Sequence, residues 1–467
     1  MAERLIVRGG TVVRAAGRLT ADVLVEAGRI AAVEPRLPDS IDAREVDALG
    51  LLVLPGVVDV HTHTRLASDE QPDRFYEDSV AAAYGGTTTF LAFNNPGTGS
   101  PRTGSLVEDV VAWRALTKGD SAIDYGLSLV ITPDERDAVA ELPAVIEAGV
   151  PTFKAFMVYD FGVSDATLAE AMRVAGRAGG MLQVHCEDRA ALRANTERLL
   201  AAGQTAPRFH ADSRPPPVEA AGTRRAIALA EQSGAPLYVV HLSCAEALEE
   251  VRAGLARDVP VFAETCPHYL ALDESCYELP DEECACYVIS PPLRSPTDRD
   301  ALWSGLADGT LALVATDHVP DRRSVEKQDW RQSFDRISNG GPGIETLLSV
   351  VYSEGVARGR ITIERMVDLL STTPAQLFGL ANKGAIEVGR DADLVIFDPA
   401  ERRTLTAREL HHTSDYTPYE GMAVTGGVLS VIVRGELVIR DGHFVGQRGY
   451  GSFQPRRLAP GSYSSRS

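Results

Sequence analysis

The sequence predicts an α/β protein: a (β/α)8 TIM barrel carrying a small β-sandwich-like domain built from both chain ends. Three features carry that prediction. From Pro55 to about residue 380, apolar runs alternate with amphipathic, Ala- and Leu-rich segments, the sequence form of repeated β–α units. Short β-rich runs separated by turns occupy both ends of the chain. No Gly-rich phosphate fingerprint follows an early strand, which argues against an open doubly wound sheet.

Taken in order, residues 1–54 hold β-rich runs at 5–7, 11–13, 22–25, 29–33 and 51–54, punctuated by Gly9-Gly10 and Gly28. They read as part of a small sheet too short to stand alone. The barrel is expected over 55–380, with strands at 56–63, 87–93, 125–132, 152–159, 182–187, 237–243, 261–266 and 311–317. Helical candidates between them include 79–84, 106–116, 168–178, 218–233 and 245–256. Residues 361–379 read as a helix that Pro374 breaks. β character returns within 381–445, at 392–397, 429–433 and 437–440, with Gly435-Glu436 as a hairpin turn. Two partial sheets, one at each end, complete each other most economically. Residues 446–467, rich in Gly, Arg, Ser and Pro, read as a tail, disordered or ordered only on a neighbouring subunit.

The totals narrow the function. A chain of 467 residues with a hydrophobic fraction of 44% can build one large and one small domain. Its formal net charge of -19 argues against nucleic-acid or anionic-membrane partners. No basic-then-apolar leader opens the chain, and no apolar run approaches the roughly 20 residues of a membrane span, so a cytoplasmic protein is expected. Six cysteines make no disulfide framework in so long a chain. Cys276, Cys284 and Cys286 cluster, but no fourth ligand stands at the spacing of a structural zinc site.

The chemistry gathers at strand ends. In Val57-Val58-Asp59-Val60-His61-Thr62-His63 the two histidines stand at i and i+2, so alternation sends both imidazoles to one face. Alone, such a pair also fits a strand edge. In a (β/α)8 barrel, however, working residues come from the C-terminal ends of several strands. Those ends carry His61 and His63, then Lys154, His185, His241 and Asp317. Imidazoles and a carboxylate at one end of a barrel point to a metal site. Lys154, within Pro151-Thr-Phe-Lys-Ala-Phe156, is expected to face the interior, paired with an acidic neighbour or relieved of its proton. A neutral amine reacts with CO2 to give a carbamate, whose two oxygens bridge cations about 3.5 to 4 Å apart.

The chain resembles the dihydropyrimidinase and hydantoinase family of cyclic amidases, within the amidohydrolase superfamily, over nearly its whole length. The matching stretches are Pro55-Gly-Val-Val-Asp59 with His61-Thr-His63, Gly85-Gly-Thr-Thr-Thr89, Phe153-Lys-Ala-Phe-Met-Val-Tyr159 and Val240-His-Leu-Ser-Cys-Ala-Glu246. Further along come Glu264-Thr-Cys-Pro267, Ser290-Pro-Pro-Leu-Arg294, Thr316-Asp-His318, Asn339-Gly-Gly-Pro-Gly-Ile-Glu345 and Asp391-Ala-Asp-Leu394.

The resemblance implies two divalent metal ions, His61, His63 and Asp317 holding one and His185 and His241 the other, with carbamylated Lys154 (N6-carboxylysine) bridging both. Nitrogen and oxygen donors without thiolate suit Zn²⁺, with Mn²⁺ or Co²⁺ as alternatives. Asp317 would act as general base, then acid, and Tyr159 would stabilise the oxyanion. Largely through main-chain groups, Ser290 and Asn339 would orient a cyclic imide or ureide substrate, and the chain would form homotetramers. Arg65, Leu66, Phe93 and Phe156 are expected in the substrate pocket, the last three as the apolar wall around the exocyclic substituent and Arg65 either there or exposed on its loop, with loops 64–72, 94–101 and 160–165 shaping it. Cys186 and Cys244, beside ligand histidines, should be packing residues.

The expected reaction is hydrolysis of the ring amide of dihydropyrimidines or 5-substituted hydantoins to N-carbamoyl amino acids. Allantoinase and dihydroorotase are the alternatives within the superfamily. Glu264-Thr-Cys-Pro-His-Tyr269 is shared with the former, and Arg65 stands where the latter hold a substrate carboxylate. Relatives that serve as cytoskeletal assembly proteins have lost metal ligands; this sequence keeps the full set.

Overall fold

The structure, a computed structural model, describes residues 4–459, the side chains of 134–137 excepted. Its centre is a barrel of parallel strands in chain order, at Val57–Thr62, Thr87–Phe93, Asp124–Val130, Thr152–Phe156, Met181–His185, Leu237–Val239, Val261–Thr265 and Leu313–Val314. All but Phe262 of these strand residues are buried, because side chains on one face fill the barrel and those on the other meet the surrounding helices. That is why these runs read as continuous rather than alternating apolar segments. Helices Arg74–Tyr84, Leu106–Thr117, Asp165–Arg177, Pro216–Ser233, Ala245–Leu255 and Pro296–Asp308 surround them. Several begin at a capping hydroxyl, such as Ser164 accepting from the Thr167 N–H at 3.2 Å, which satisfies an otherwise unpaired first-turn donor.

Three strands end three or four residues before the apolar runs suggest. The fourth stops at Phe156, the sixth at Val239 and the eighth at Val314. Just beyond them Tyr159, His241 and Asp317 take positive φ values of 67°, 40° and 51°. Such backbone leaves the extended region, so the ladder ends where the candidate residues begin.

The first and last barrel strands meet without a ladder among the described residues. Side chains bridge that seam: Asp59 accepts from the Thr316 N–H at 3.1 Å and from its hydroxyl at 2.6 Å. The His63 N–H donates to the His318 carbonyl at 2.7 Å. Burial pushes the Asp59 carboxyl up to about 6, although the Thr316 bonds pull it down.

The two chain ends do complete one another, in a mixed sheet. Leu52–Pro55 pairs in parallel with Arg4–Arg14 on one side and antiparallel with Leu394–Thr404 on the other. Gly17–Glu26 and Arg29–Glu34 extend one flank, and Ala423–Val433, Glu436–Arg440 and His443–Phe444 the other. Val7, Val23, Val53, Ile396 and Ile432 share its core. Lys383 ties sheet to barrel, its buried ammonium 2.6 Å from Asp124 and 2.8 Å from Asp393.

Two local expectations change. The helical run continues through Pro374, because a π-helical turn at Asp368–Thr372 directly precedes it and its wider ring relieves the clash a proline makes in an α-helix. The expected tail is ordered on its own barrel as far as residue 459. The Tyr125 N–H donates to the Ser452 carbonyl at 3.1 Å, and Arg456, 1% exposed, donates to Thr152 Oγ1 at 2.9 Å and to the Leu127 carbonyl. Its composition resembles a loose segment, yet one arginine serves acceptors in the barrel strands. Residues 460–467 lie outside the described residues. Among the described residues no helix is long and apolar enough to cross a membrane.

Candidate metal centre and active site

His61 is next to last in the first strand and His63 directly follows it, so their rings reach the same point at the barrel mouth. The Nε2 atoms are 3.3 Å apart. Asp317, arriving from the last strand, places Oδ1 2.9 Å from His61 Nε2 and 3.0 Å from His63 Nε2. Lys154 Nζ lies 3.3 Å from His61 Nε2. The His241 ring centroid is 5.5 Å from that of His61 and 4.5 Å from that of His185. All six residues expected to hold metal thus come together, and all are buried.

The donor set fits divalent cations. Burial lowers the His63, His185 and His241 pKa values, which keeps their imidazoles neutral and a ring nitrogen lone pair available. Burial alone would raise Asp317, but His61 and His63 outweigh it and hold the carboxyl well below its usual range. His241 Nδ1 is buried without a protein partner. Burial draws the Lys154 ammonium down to about 8, only partly offset by attraction to Asp317 and Glu264. Among the described residues His61, His63 and Asp317 form the one group of three or more His, Cys, Asp or Glu with ligand atoms close enough to share an ion. Cys276, Cys284 and Cys286 form none. Cys186 and Cys244 are buried packing residues, as expected.

A surrounding layer, unassigned from the sequence, aims these donors. Glu264 accepts from His61 Nδ1–H, from the His241 N–H at 3.1 Å and from the Tyr238 hydroxyl at 2.6 Å. Asn95 Oδ1 accepts from His63 Nδ1–H at 2.7 Å, and Glu187 Oε2 accepts from His185 Nε2–H at 2.6 Å. Such partners fix the tautomer and ring plane of a metal-binding histidine. Glu187 was legible: it stands at i+2 from His185, on the same face. A carboxylate inside the apolar seventh strand was the corresponding signal for Glu264.

A cavity of about 320 Å³ opens over the cluster. Its lining includes His63, His185, His241 and Asp317 at the base, with Tyr159, Ser290 and Asn339 around them. Loops 64–72, 94–101 and 160–165 all contribute, through Arg65, Asn95 to Thr98, and Phe161. Ser290 donates its hydroxyl to Asn339 Oδ1 at 3.0 Å. Burial raises the Tyr159 hydroxyl, which the nearby Arg214 cation counteracts. Of the four residues expected in the substrate pocket, Phe156 and Arg65 line the cavity. Leu66 instead packs into the main core, 4% exposed, and Phe93 lies against the donors, its ring 4.8 Å from that of His61 and 4.8 Å from Lys154 Nζ. Strand alternation explains Phe93: it points inward with the ligands. Arg65 is held by Asp321 and by Glu326 at 3.1 Å.

Buried imidazoles, a lysine and an aspartate at the C-terminal mouth of a (β/α)8 barrel define a metal-dependent hydrolase, and the chain belongs to the amidohydrolase family, which matches residues 52–438. Within it the similarity is to hydantoinases and dihydropyrimidinases. The D-hydantoinase of Geobacillus stearothermophilus is 42% identical over 457 residues, 97% of this chain and 96% of the relative. The crystal structure of dihydropyrimidinase from Brevibacillus agri NCHU1002 superposes with a TM-score of 0.92 at 39% identity, covering 98% of this chain and 100% of that one. D-hydantoinase from a Bacillus sp. AR9 gives a TM-score of 0.92 at 42% identity, with 98% and 100% covered. The chain is thus a hydrolase of the cyclic-amide type, in a family that uses divalent metal.

Proposed function

We propose that this enzyme opens the ring of dihydropyrimidines or 5-substituted hydantoins to N-carbamoyl amino acids, with two Zn²⁺ ions that His61, His63, His185, His241, Asp317 and a CO2-modified Lys154 would hold. The observation that carries the reading is the convergence of His61, His63, Lys154, His185, His241 and Asp317 beneath one cavity. The all-nitrogen-and-oxygen donor set supports zinc. Burial of Lys154, which favours the neutral amine that attacks CO2, supports the carbamate. Six free cysteines and the acidic composition support a cytoplasmic location, and the family resemblance supports a homotetramer.

An amide carbonyl is a poor electrophile and its nitrogen a poor leaving group. The cations, when bound, acidify water and polarise the carbonyl. Asp317 takes the proton the attacking water loses and delivers it to the ring nitrogen as the C–N bond breaks. Tyr159 donates to the carbonyl oxygen as charge builds there. Ser290 and Asn339 orient the ring. A panel of dihydrouracil, hydantoin, phenylhydantoin, allantoin and dihydroorotate tests the assignment. Turnover of the first three is expected, and a fully metallated protein inactive on all five overturns it.

Two substitutions separate the roles at the rim. Tyr159→Phe is expected to lower kcat by roughly 10²-fold, the effect of deleting one oxyanion donor, with metal content retained; unchanged kcat removes the phenol from the mechanism. Arg65 lines the cavity, which favours an acidic, dihydroorotate-like substrate as a second reading, yet two carboxylates already engage its guanidinium. Arg65→Ala is therefore expected to affect dihydroorotate and dihydrouracil equally. A selective tenfold loss on dihydroorotate, about 1.4 kcal/mol, would establish the second reading instead.

A further inference from the structure

The buried guanidinium of Arg214 touches both sides of the cavity. It is 6% exposed and follows the short helix Phe209–Ser213 between the fifth and sixth barrel strands. Nη1 donates to Glu187 Oε2 at 3.2 Å and to Ser290 Oγ. Its central carbon lies 6.0 Å from the Tyr159 ring centroid. The loop carrying it is anchored from behind, since Arg294 donates to the Arg214 carbonyl at 2.7 Å and to Glu219 at 3.0 Å. Glu219 in turn accepts from the Ser243 N–H at 2.7 Å, two residues past His241.

We propose that Arg214 is a positioning residue that sets the hydrogen-bond polarity of the metal-binding and substrate-binding halves of the site together. This rests on the cyclic-amidase reading above. A guanidinium only donates. Toward the metal side, Arg214 holds Glu187 as an acceptor, so His185 presents Nε2–H to that carboxylate and keeps Nδ1 bare. Toward the substrate side, Arg214 takes a lone pair of Ser290 Oγ, which leaves the Ser290 hydrogen for Asn339 Oδ1 and so fixes which face of the Asn339 amide donates. A burial this deep is costly for a cation, and both bonds leave from Nη1, which the guanidinium plane holds at a fixed place, whereas a lysine ammonium is a freely rotating point charge on a flexible stem.

The test compares Arg214→Ala and Arg214→Lys with wild type, measuring metal content, hydantoin turnover, and hydantoin binding to metal-depleted protein by calorimetry. Wild-type turnover checks the underlying reading separately: an inactive, fully metallated wild type fails that reading, whereas the binding arm still reports on Arg214. Both variants are expected to lose roughly 10- to 100-fold in kcat/KM, the range for partners of metal ligands, and to bind hydantoin more weakly without metal. Guanidinium at tens of millimolar should restore part of the Arg214→Ala activity, and sodium at equal ionic strength should not. In a Tyr159→Phe or Ser290→Ala background the Arg214 effect should shrink, because the groups act as a unit. Full activity in Arg214→Lys, rescue by sodium as well as guanidinium, or strict additivity in both backgrounds overturns the proposal. Should Arg214→Ala fail to fold, the lysine variant and its double mutants carry the same comparison.

Discussion

Lys154→Ala is expected to abolish hydrolysis and to leave the protein unable to hold a full pair of metal ions, with part of both restored by acetate or propionate. The side chain is completely buried, its Nζ 3.3 Å from His61 Nε2 and between the Phe93 and Phe156 rings at 4.8 and 5.0 Å. An ammonium there would sit among imidazoles that are themselves meant to carry cations, and like charges that close repel strongly. Conversion to a carbamate would reverse the sign: a cation that opposes metal binding would become an anion that supports it. Alanine removes both forms, and a short carboxylic acid diffusing into the vacated space replaces the two oxygens. Metal analysis and turnover, with and without the added acid, check this. A fully metallated, active Lys154→Ala enzyme would contradict it.

Asp317→Asn should lower kcat by about 10² to 10⁴-fold, the range for general acid–base groups. The carboxylate lies 2.9 and 3.0 Å from the two histidine nitrogens, which hold its pKa well below the usual range. It therefore stays ionised through neutral pH. That state is right for accepting a proton from water, and asparagine, with no comparable basicity, cannot substitute. KM is expected to change less than kcat, because the loss falls on proton transfer rather than on ring binding. Steady-state kinetics on hydantoin at metal content matched to wild type, since Asp317 also belongs to the donor cluster, decide the point; a variant keeping more than a tenth of wild-type kcat would place the base elsewhere.

Much of this site was legible in the sequence because barrel chemistry is collinear with strand ends. His61, His63, His185, His241 and Asp317 each stand at or just past the end of an apolar run and Lys154 stands within one, and the fold brings all six to one mouth. Cys186 and Cys244 pack in the core as expected, although Cys244 lies beyond its strand, at the start of the helix Ala245–Leu255. What stayed hidden depended on contacts that periodicity does not encode. Arg214 lies on a loop with no strand to register it, and its meaning comes from Glu187, Ser290 and Tyr159, all distant or offset in the chain. Leu66 read as a cavity wall because its loop borders the cavity, but an apolar side chain there gains more from the core. The segment ending at Arg456 read as a tail because its composition is loop-like, while the carbonyl and hydroxyl that bind its guanidinium belong to other strands.

The seam between the first and last strands has a thermodynamic consequence. His61 and His63 stand on one edge of that gap and Asp317 on the other, so an ion held by all three would staple a cylinder that, among the described residues, the backbone closes only through the His63 N–H bond to the His318 carbonyl. Metal loading and closure of the ring then become one linked equilibrium. The stripped protein should breathe first along this line, and the lifetime of the bound ions should follow how often the staves part rather than how quickly an individual ligand lets go.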